Sequence, residues 1–108
     1  MNRGELWSAA TGGGYGGKPR PVLIVQAGPL AQATHIIVAL CTTSMNEERI
    51  RPRIEPDHVN NLEDASYLQV DVLLTVPRRK FGRRIGHLTG GDLERVDEAL
   101  ASVLGLAG

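Results

Sequence analysis

The chain has 108 residues, of which 42% are hydrophobic, and its 12 basic and 12 acidic side chains leave a formal net charge of zero. This length and composition predict a single globular domain over residues 1–108 and exclude a disordered chain. One cysteine, Cys41, excludes an internal disulfide. Residues 1–6 hold no apolar stretch of signal-peptide length, and the longest apolar runs are too short to cross a bilayer, so we expect a soluble, cytoplasmic protein.

The basic side chains are concentrated in two clusters, while the acidic side chains gather at 55–64 and near the C-terminus. The clusters are Arg49, Arg51 and Arg53, and then Arg78, Arg79, Lys80, Arg83 and Arg84. Such a division fits a protein that binds a polyanion on one side, and it also fits ordinary solvated charge. Charge alone favours the second interpretation.

The first half of the chain predicts short strands. A strand at Gly4–Ala9 is followed by a glycine-rich loop at Thr11–Lys18, and the compact apolar run Pro21–Gln26 predicts a buried strand. Residues Gly28–Thr34 form a connection with room for one helical turn. A second buried strand is predicted at His35–Leu40.

Further strands are predicted at Arg49–Glu55, Ser66–Leu74 and Arg83–His87. The proline inside the first of these indicates an edge strand or a bulge. Two sets of apolar residues are each expected to share one face of their strand: Ile50, Pro52 and Ile54, and then Leu68, Val70, Val72 and Leu74.

The C-terminal segment has helical periodicity. Its apolar positions, which we expect on one side of the helix, are Leu93, Val96, Leu100, Val103 and Leu104. Thr89 and Asp92 match a capping-box pattern, and Gly105 is a natural C-terminal cap. Short strands followed by one helix predict a mainly β fold, a small barrel with a C-terminal helix.

The common catalytic motifs are absent from the sequence. It has no GxSxG, HExxH or paired CxxC, and Gly12–Gly17 lacks the ending of a phosphate-binding loop. The three histidines, His35, His58 and His87, lie far apart and predict surface or packing residues, with no metal site.

Four short motifs in one order carry a stronger signal. They are Arg3-Gly4-Glu5-Leu6-Trp7, the KPRPVLIVQ run at 18–26, the IVALCTTS run at 37–44, and the RIGHL run at 84–88 before the helix. In this order and spacing they resemble the MazF/PemK toxin family over nearly the whole chain. The resemblance implies an SH3-like barrel that forms a homodimer and is neutralised by a cognate MazE-like antitoxin. It also implies cleavage of single-stranded RNA by 2′-hydroxyl attack, which leaves a 2′,3′-cyclic phosphate and a 5′-hydroxyl, without a metal or other cofactor.

Arg20 and Thr42 match the central catalytic pair of that family. The reaction builds negative charge on a five-coordinate phosphorane, and a fixed guanidinium that binds two of its oxygens lowers the barrier. Two prolines stiffen the backbone around Arg20. The Thr42 hydroxyl can hold a phosphate oxygen. Judged by residue type alone, Arg20 would be an exposed charge at the rim of the barrel, and Thr42 would be a residue that starts a turn.

The resemblance also marks residues for proton transfer or base recognition. Gln69 and Asp71 match an Arg and Asp pair that shares the proton transfers in some relatives; Gln69 cannot be a general acid, which favours a mechanism centred on Arg20. Asp71 is open to three readings: a general base, a contact to a nucleobase, or a solvent-facing strand residue. The expected RNA contacts are Tyr15, Lys18, Thr43, Ser44, Arg78 and Arg79.

Two other functions are compatible with this fold. The first is a CcdB-like toxin that poisons DNA gyrase, but the chain lacks the C-terminal Trp typical of that branch. The second is a non-catalytic SH3-like binding module, which would need clustered aromatic residues, and the four here are scattered. An RNA cleavage assay without metal separates the three.

Overall fold

The computed structural model describes residues 1–12, 18–30, 32–44 and 50–106. This part of the chain is mainly β with one C-terminal helix, as the sequence predicts. Its elements are β1 Glu5–Ala9, β2 Arg20–Ile24, β3 His35–Thr42, β4 Arg53–Ile54, β5 Ser66–Pro77, β6 Phe81–His87 and the helix α1 Gly90–Val103, with 3-10 turns at Gly28–Leu30 and Arg78–Lys80. None of its helices is long and apolar enough to cross a membrane.

All the strands belong to one antiparallel sheet in the order β4-β5-β3-β2-β1-β6. The chain passes from β5, beside one edge, to β6 at the opposite edge through only the three residues Arg78–Lys80. This turn is tied to both sides, because Arg78 N–H donates to the Thr34 carbonyl (2.8 Å) and Ala10 N–H donates to the Lys80 carbonyl (2.9 Å). The sheet is therefore curled into a half-barrel.

The strands bury apolar side chains on both faces of the sheet. One cluster packs β-strand residues such as Leu6, Leu23 and Leu68 against Val96 and Leu100 of α1. The other cluster contains alternate residues of the same strands: Ala9, Val22, Ile24, Ile36, Val38 and Val76. The alternation of buried residues along β2 and β3 thus serves two cores, which explains why both strands read as continuous apolar runs.

A bulge in β5 changes which face its side chains occupy. Ala39 pairs with Leu73, but the next residue, Leu40, pairs with Gln69, so residues 70–72 have no partner on β3. The alternation restarts after these extra residues, so that Leu73 packs in the helix-facing core and Leu74 in the other. The expectation that Leu68, Val70, Val72 and Leu74 share one face is therefore wrong beyond residue 70, and Val72 is 37% exposed.

Several strand ends also differ from the sequence prediction. β4 is confirmed as an edge strand but contains only two residues, because Pro52 has no N–H to continue the pairing. Ile50 is 38% exposed, so it does not share the buried position of Ile54. β3 extends two residues further than predicted, to Thr42, and β5 three further, to Pro77.

The first sequence motif is a structural anchor for the N-terminus. Gly4 has φ +90°, donates its N–H to the Ile24 carbonyl (2.8 Å) and accepts from Leu88 N–H (3.0 Å). Arg3 pairs with Asp97 of α1 and donates to the Val25 carbonyl (3.2 Å). The motif therefore fastens β1 to both β2 and the helix.

The helix ends only partly as predicted. Thr89 is the N-cap, but its side chain makes no capping hydrogen bond, so the capping box is not formed. At the other end Gly105 has φ +73°, and the N–H groups of Gly105 and Leu106 donate to the carbonyls of Ser102 and Ala101, a Schellman motif. The predicted apolar face is buried at Val96 and Leu100, whereas Val103 is 36% exposed and Leu104 is 53% exposed, so burial decreases over the last turn.

Candidate active site

Arg20 is the first residue of β2, placed between Pro19 and Pro21 and opposite Ala9 of β1. The pairing of β2 with β3 runs from Ile24 and Val38 to Val22 and Leu40. Arg20 lies two residues beyond the end of this pairing on β2, and Thr42 lies two residues beyond it on β3. The side chain of Arg20 is half-buried and its Nε is shielded from solvent. Arg20 and Thr42 thus lie at the same end of two adjacent antiparallel strands.

A cavity of about 660 Å³ opens beside Arg20. It is bounded by the ends of β1, β2, β3 and β6 and by the segment that precedes β5. Its lining consists of Ser8, Pro19, Arg20, Pro21, Thr43, Asn61, Leu62, Glu63, Asp64, Ser66, Gly82, Arg83 and Ile85. We call Arg20 and Arg83 its cationic wall, and Glu63 and Asp64 its acidic wall.

A bulge between β1 and β6 directs Arg83 to the cationic wall. The pairing shifts register between Trp7 and Ala9, so Arg83 falls opposite the irregular position at Ser8. Ser8 Oγ accepts the N–H of Arg83 (3.0 Å), and a Cβ on Gly82 would come within 2.5 Å of that same oxygen. Bulges commonly redirect side chains beside active sites. The sequence places Arg83 in a basic cluster but does not single it out, because the bulge leaves no local pattern.

The acidic wall is held by a buried asparagine. Asn60 is 0% exposed; its Oδ1 accepts the N–H groups of Asp57 (3.1 Å) and Leu62 (3.0 Å), and its Nδ2 donates to the Glu55 carbonyl (2.9 Å). The segment packs so closely on β6 that a Cβ on Gly86 would come within 2.4 Å of the Val59 carbonyl oxygen. Sequence reasoning missed this wall, although the run of Asp and Asn residues at 57–61 is a turn signal that could have drawn attention to it.

Asp57 supports the same segment from its other end. Its Oδ1 accepts the N–H groups of Val59 (2.8 Å) and Asn60 (2.7 Å). These two backbone hydrogen bonds hold the pKa of the Asp57 carboxyl below its usual range. The segment that carries the acidic wall is therefore constrained by side-chain to backbone bonds at both Asp57 and Asn60.

The polar run after β3 is divided between the sheet and the cavity. Thr42 is half-buried, pairs with Tyr67, and its Oγ1 accepts the N–H of Ser44 (3.1 Å). Thr43 lines the cavity, and both Thr43 and Ser44 are exposed. A hydroxyl that already accepts a backbone bond can still donate its own proton to a phosphate oxygen.

Gln69 and Asp71 lie on β5 and are not among the residues that line the cavity. Asp71 is in the β5 bulge, where Arg51 binds its carboxylate through Nε (2.7 Å) and a terminal nitrogen (2.9 Å). The Arg51 hydrogen bonds hold the pKa of Asp71 below its usual range. A carboxylate held in this way is a weak proton acceptor.

The remaining expected RNA contacts are spread around this region. Lys18 is exposed next to Pro19, a cavity residue. Arg78 is half-buried and donates to the Ala33 carbonyl (3.3 Å), while Arg79 is exposed on the same turn, and neither lines the cavity. Tyr15, with most of the glycine-rich loop, lies outside the described residues, as does Arg49 of the first basic cluster.

Comparisons with known proteins identify related sequences. A family model of PemK-like, MazF-like toxins of type II toxin–antitoxin systems matches residues 2–104. The chain is 41% identical to a probable endoribonuclease MazF of Mycolicibacterium smegmatis, with 100% of both chains covered. It is 30% identical to a probable endoribonuclease MazF2 of Mycobacterium tuberculosis, with 97% of this chain and 99% of the relative covered.

Solved structures of similar fold cover the chain almost completely. One, described as an endoribonuclease in complex with its cognate antitoxin from a mycobacterial species, has a TM-score of 0.83 at 21% identity and covers 100% of this chain and 98% of its own. Another, the Mycobacterium tuberculosis toxin MazF-mt6, has a TM-score of 0.81 at 26% identity and covers 96% and 99%. The half-barrel with a C-terminal helix is therefore a fold that these toxins share.

Proposed function

The chain belongs to the PemK-like, MazF-like toxins of type II toxin–antitoxin systems, and on that basis we propose that it is an endoribonuclease that cuts single-stranded RNA at the cavity beside Arg20. The observation that supports this site best is the cationic wall, where Arg20 is fixed between two prolines and Arg83 is fixed by a bulge. The names of the relatives favour this function over the gyrase-poisoning and binding-module alternatives.

The proposed reaction is a transesterification without a metal. The 2′-oxygen of one nucleotide attacks the adjacent phosphorus and loses its proton, the bond from phosphorus to the 5′-oxygen breaks, and that oxygen gains a proton. The products are a 2′,3′-cyclic phosphate and a 5′-hydroxyl. Arg20 binds two oxygens of the five-coordinate phosphorane, and the Thr42 hydroxyl donates to a third. Such charges act strongly because they are fixed before the reaction begins.

The other polar residues are proposed as RNA contacts. Arg83 and Lys18 attract the phosphates on either side of the cleaved bond, with Thr43 and Ser44 beside them, and Arg78 and Arg79 bind the strand further away. Tyr15 is proposed as a contact to a base. We assign Gln69 and Asp71 to contacts with nucleobases. The Arg51 bond that lowers the pKa of Asp71 makes it a poor general base.

Replacement of Arg20 tests the proposed mechanism. Arg20→Ala should lower the cleavage rate at least ~100-fold, the usual scale for one electrostatic contact made in the transition state. Arg20→Lys should restore little activity, because an ammonium cannot offer two parallel hydrogen bonds. Cleavage of a fluorescent RNA in EDTA, with mapping of the 5′-hydroxyl products, measures both effects. Arg95→Ala, at an exposed residue of α1 outside the proposed RNA contacts, is the matched control and should keep most of the rate. An Arg20→Ala protein that folds and cuts at the parental rate would refute the site.

We further propose that the protein acts in the cytoplasm as a homodimer, silenced by an antitoxin. The sheet leaves the C-terminal half of β5 without a neighbour on its outer side among the described residues, and such edges invite pairing with a second copy. The neighbour bound to its cognate antitoxin supports the second partner. Light scattering at micromolar concentration should give twice the chain mass, and a stable monomer would contradict the dimer. Expression in bacteria should arrest growth, and co-expression of the cognate antitoxin should relieve the arrest, which tests the toxic activity and its silencing.

A further inference from the structure

We infer that the cavity beside Arg20 holds a guanine base next to the cleaved phosphate, and that its acidic wall recognises that base. The inference rests on the proposed function, since it assigns specificity to the same site. The main observation is that side chains of opposite charge line one cavity, with Arg20 and Arg83 on one side and Glu63 and Asp64 on the other.

The acidic wall cannot serve the phosphate backbone. Two carboxylates repel a polyanion, so the backbone must follow the cationic wall and turn the base toward Glu63 and Asp64. Neither carboxylate makes an ion pair with any residue in the described part of the chain. Both are therefore available to accept hydrogen bonds from a ligand. A volume of about 660 Å³ lies within the range of small-molecule pockets, about 300–1,000 Å³.

Among the four bases, guanine alone presents two adjacent donors on its Watson–Crick edge, at N1 and N2. A carboxylate can accept both bonds at once with its two oxygens. Adenine and cytosine place a ring acceptor beside their amino group, and uracil places its single N–H between two carbonyls. Each of these would set a lone pair against a carboxylate oxygen, so the acidic wall selects against them.

Asp64 is the better placed of the two carboxylates. Its main-chain carbonyl accepts the hydroxyl of Ser66 (3.0 Å), and Ser66 is only 4% exposed, so the backbone at Asp64 is fixed. The buried Asn60 fixes the same segment from the other side. Leu62 and Ile85 supply apolar surface in the cavity against which a base can pack. A recognition group held on a rigid segment loses little entropy on binding.

Mononucleotide binding tests this assignment without relying on RNA cleavage. In NMR titrations guanosine 3′-monophosphate should bind at least about fivefold tighter than the adenosine, cytidine and uridine 3′-monophosphates, the lower end expected for one bidentate base contact. The largest shifts should fall on Leu62, Ile85 and Ser66. Inosine 3′-monophosphate, which keeps the N1 donor but lacks the N2 amino group, should bind more weakly than the guanosine compound, because it can make only one of the two hydrogen bonds.

Variants then assign the preference to the wall. Asp64→Asn should abolish the advantage of guanosine over inosine, whereas Glu94→Gln on the exposed side of α1 should leave it intact. Equal binding of all five nucleotides, shifts that avoid the cavity, or a guanine preference that survives in a folded Asp64→Asn/Glu63→Gln protein would each overturn the inference. Cleavage of RNA with no guanine binding would refute the inference alone, and guanine binding with no cleavage would refute the proposed function alone.

Discussion

Removal of the Asn60 side chain should cost the protein much of its stability. Asn60→Ala deletes three hydrogen bonds, to Asp57 N–H, Leu62 N–H and the Glu55 carbonyl, at a position that is 0% exposed. Each such bond contributes about 1 kcal/mol net, and a buried partner left unpaired costs about 1–3 kcal/mol. Water can reach some of the freed groups, because Glu55 is exposed. We therefore expect a loss of about 3 kcal/mol, out of a total of about 5–15 kcal/mol for a domain.

Urea unfolding followed by fluorescence measures this loss, because Trp7 is the single tryptophan and its indole N–H donates to Glu5 in the folded sheet. The midpoint should fall while the slope stays constant, as expected for a change in stability alone. Asn2→Ala, at an exposed asparagine, is the matched control and should change the unfolding free energy by less than about 0.5 kcal/mol. A loss below about 1 kcal/mol for Asn60→Ala would refute the view that this network holds the acidic wall in place.

Two further predictions concern titrating groups. Because the folded pKa of Asp71 is depressed, its ion pair with Arg51 stabilises the fold above the unfolded value of about 3.9 and ceases to do so as the pH falls through the folded pKa. Asp71→Asn should thus cost about 0.5–1 kcal/mol at pH 5–8 by urea unfolding and progressively less below pH ~4; a difference independent of pH would contradict this. Burial raises the pKa of the Cys41 thiol to about 12. A disulfide reagent at pH 8 should therefore label the native protein at least ~100-fold more slowly than the urea-unfolded chain. Equal labelling rates would show that the thiolate is accessible in the native protein and would contradict this prediction.

The sequence predicts most of this fold because local patterns determine it. β1, β2 and β3 contain apolar runs whose periodicity is set by strand geometry. The helix α1 has apolar residues at helical spacing and is followed by a glycine that caps its C-terminus. The bulge in β5 escaped prediction because three extra residues do not break the alternation visible in the letters; they change only the partner on β3. The same reason explains the wrong face assigned to Val72.

The residues of the candidate site show the same difference between regular strands, which the sequence predicts, and irregular segments, which it does not. The sequence places Arg20 at the start of β2 and Thr42 near the end of β3, and the structure has these two strand ends on the same side of the sheet, because the strands are adjacent and antiparallel. Arg83 and Asp64 could not be placed in advance, since one depends on a bulge and the other on a turn held by buried hydrogen bonds from Asn60. Neither feature has a periodicity that a sequence displays.

The order of the strands determines when the cavity beside Arg20 can form during synthesis of the chain. β1 lies between β2 and β6, although β6 is made only at residues 81–87. A chain emerging from the ribosome can pair β1 with β2 early, but one edge of β1 stays open, and the cavity lacks Arg83, until residues 81–87 have emerged. The cavity beside Arg20 therefore forms late in synthesis relative to the strands β1 to β3, although its first wall is among the earliest parts of the chain to be made.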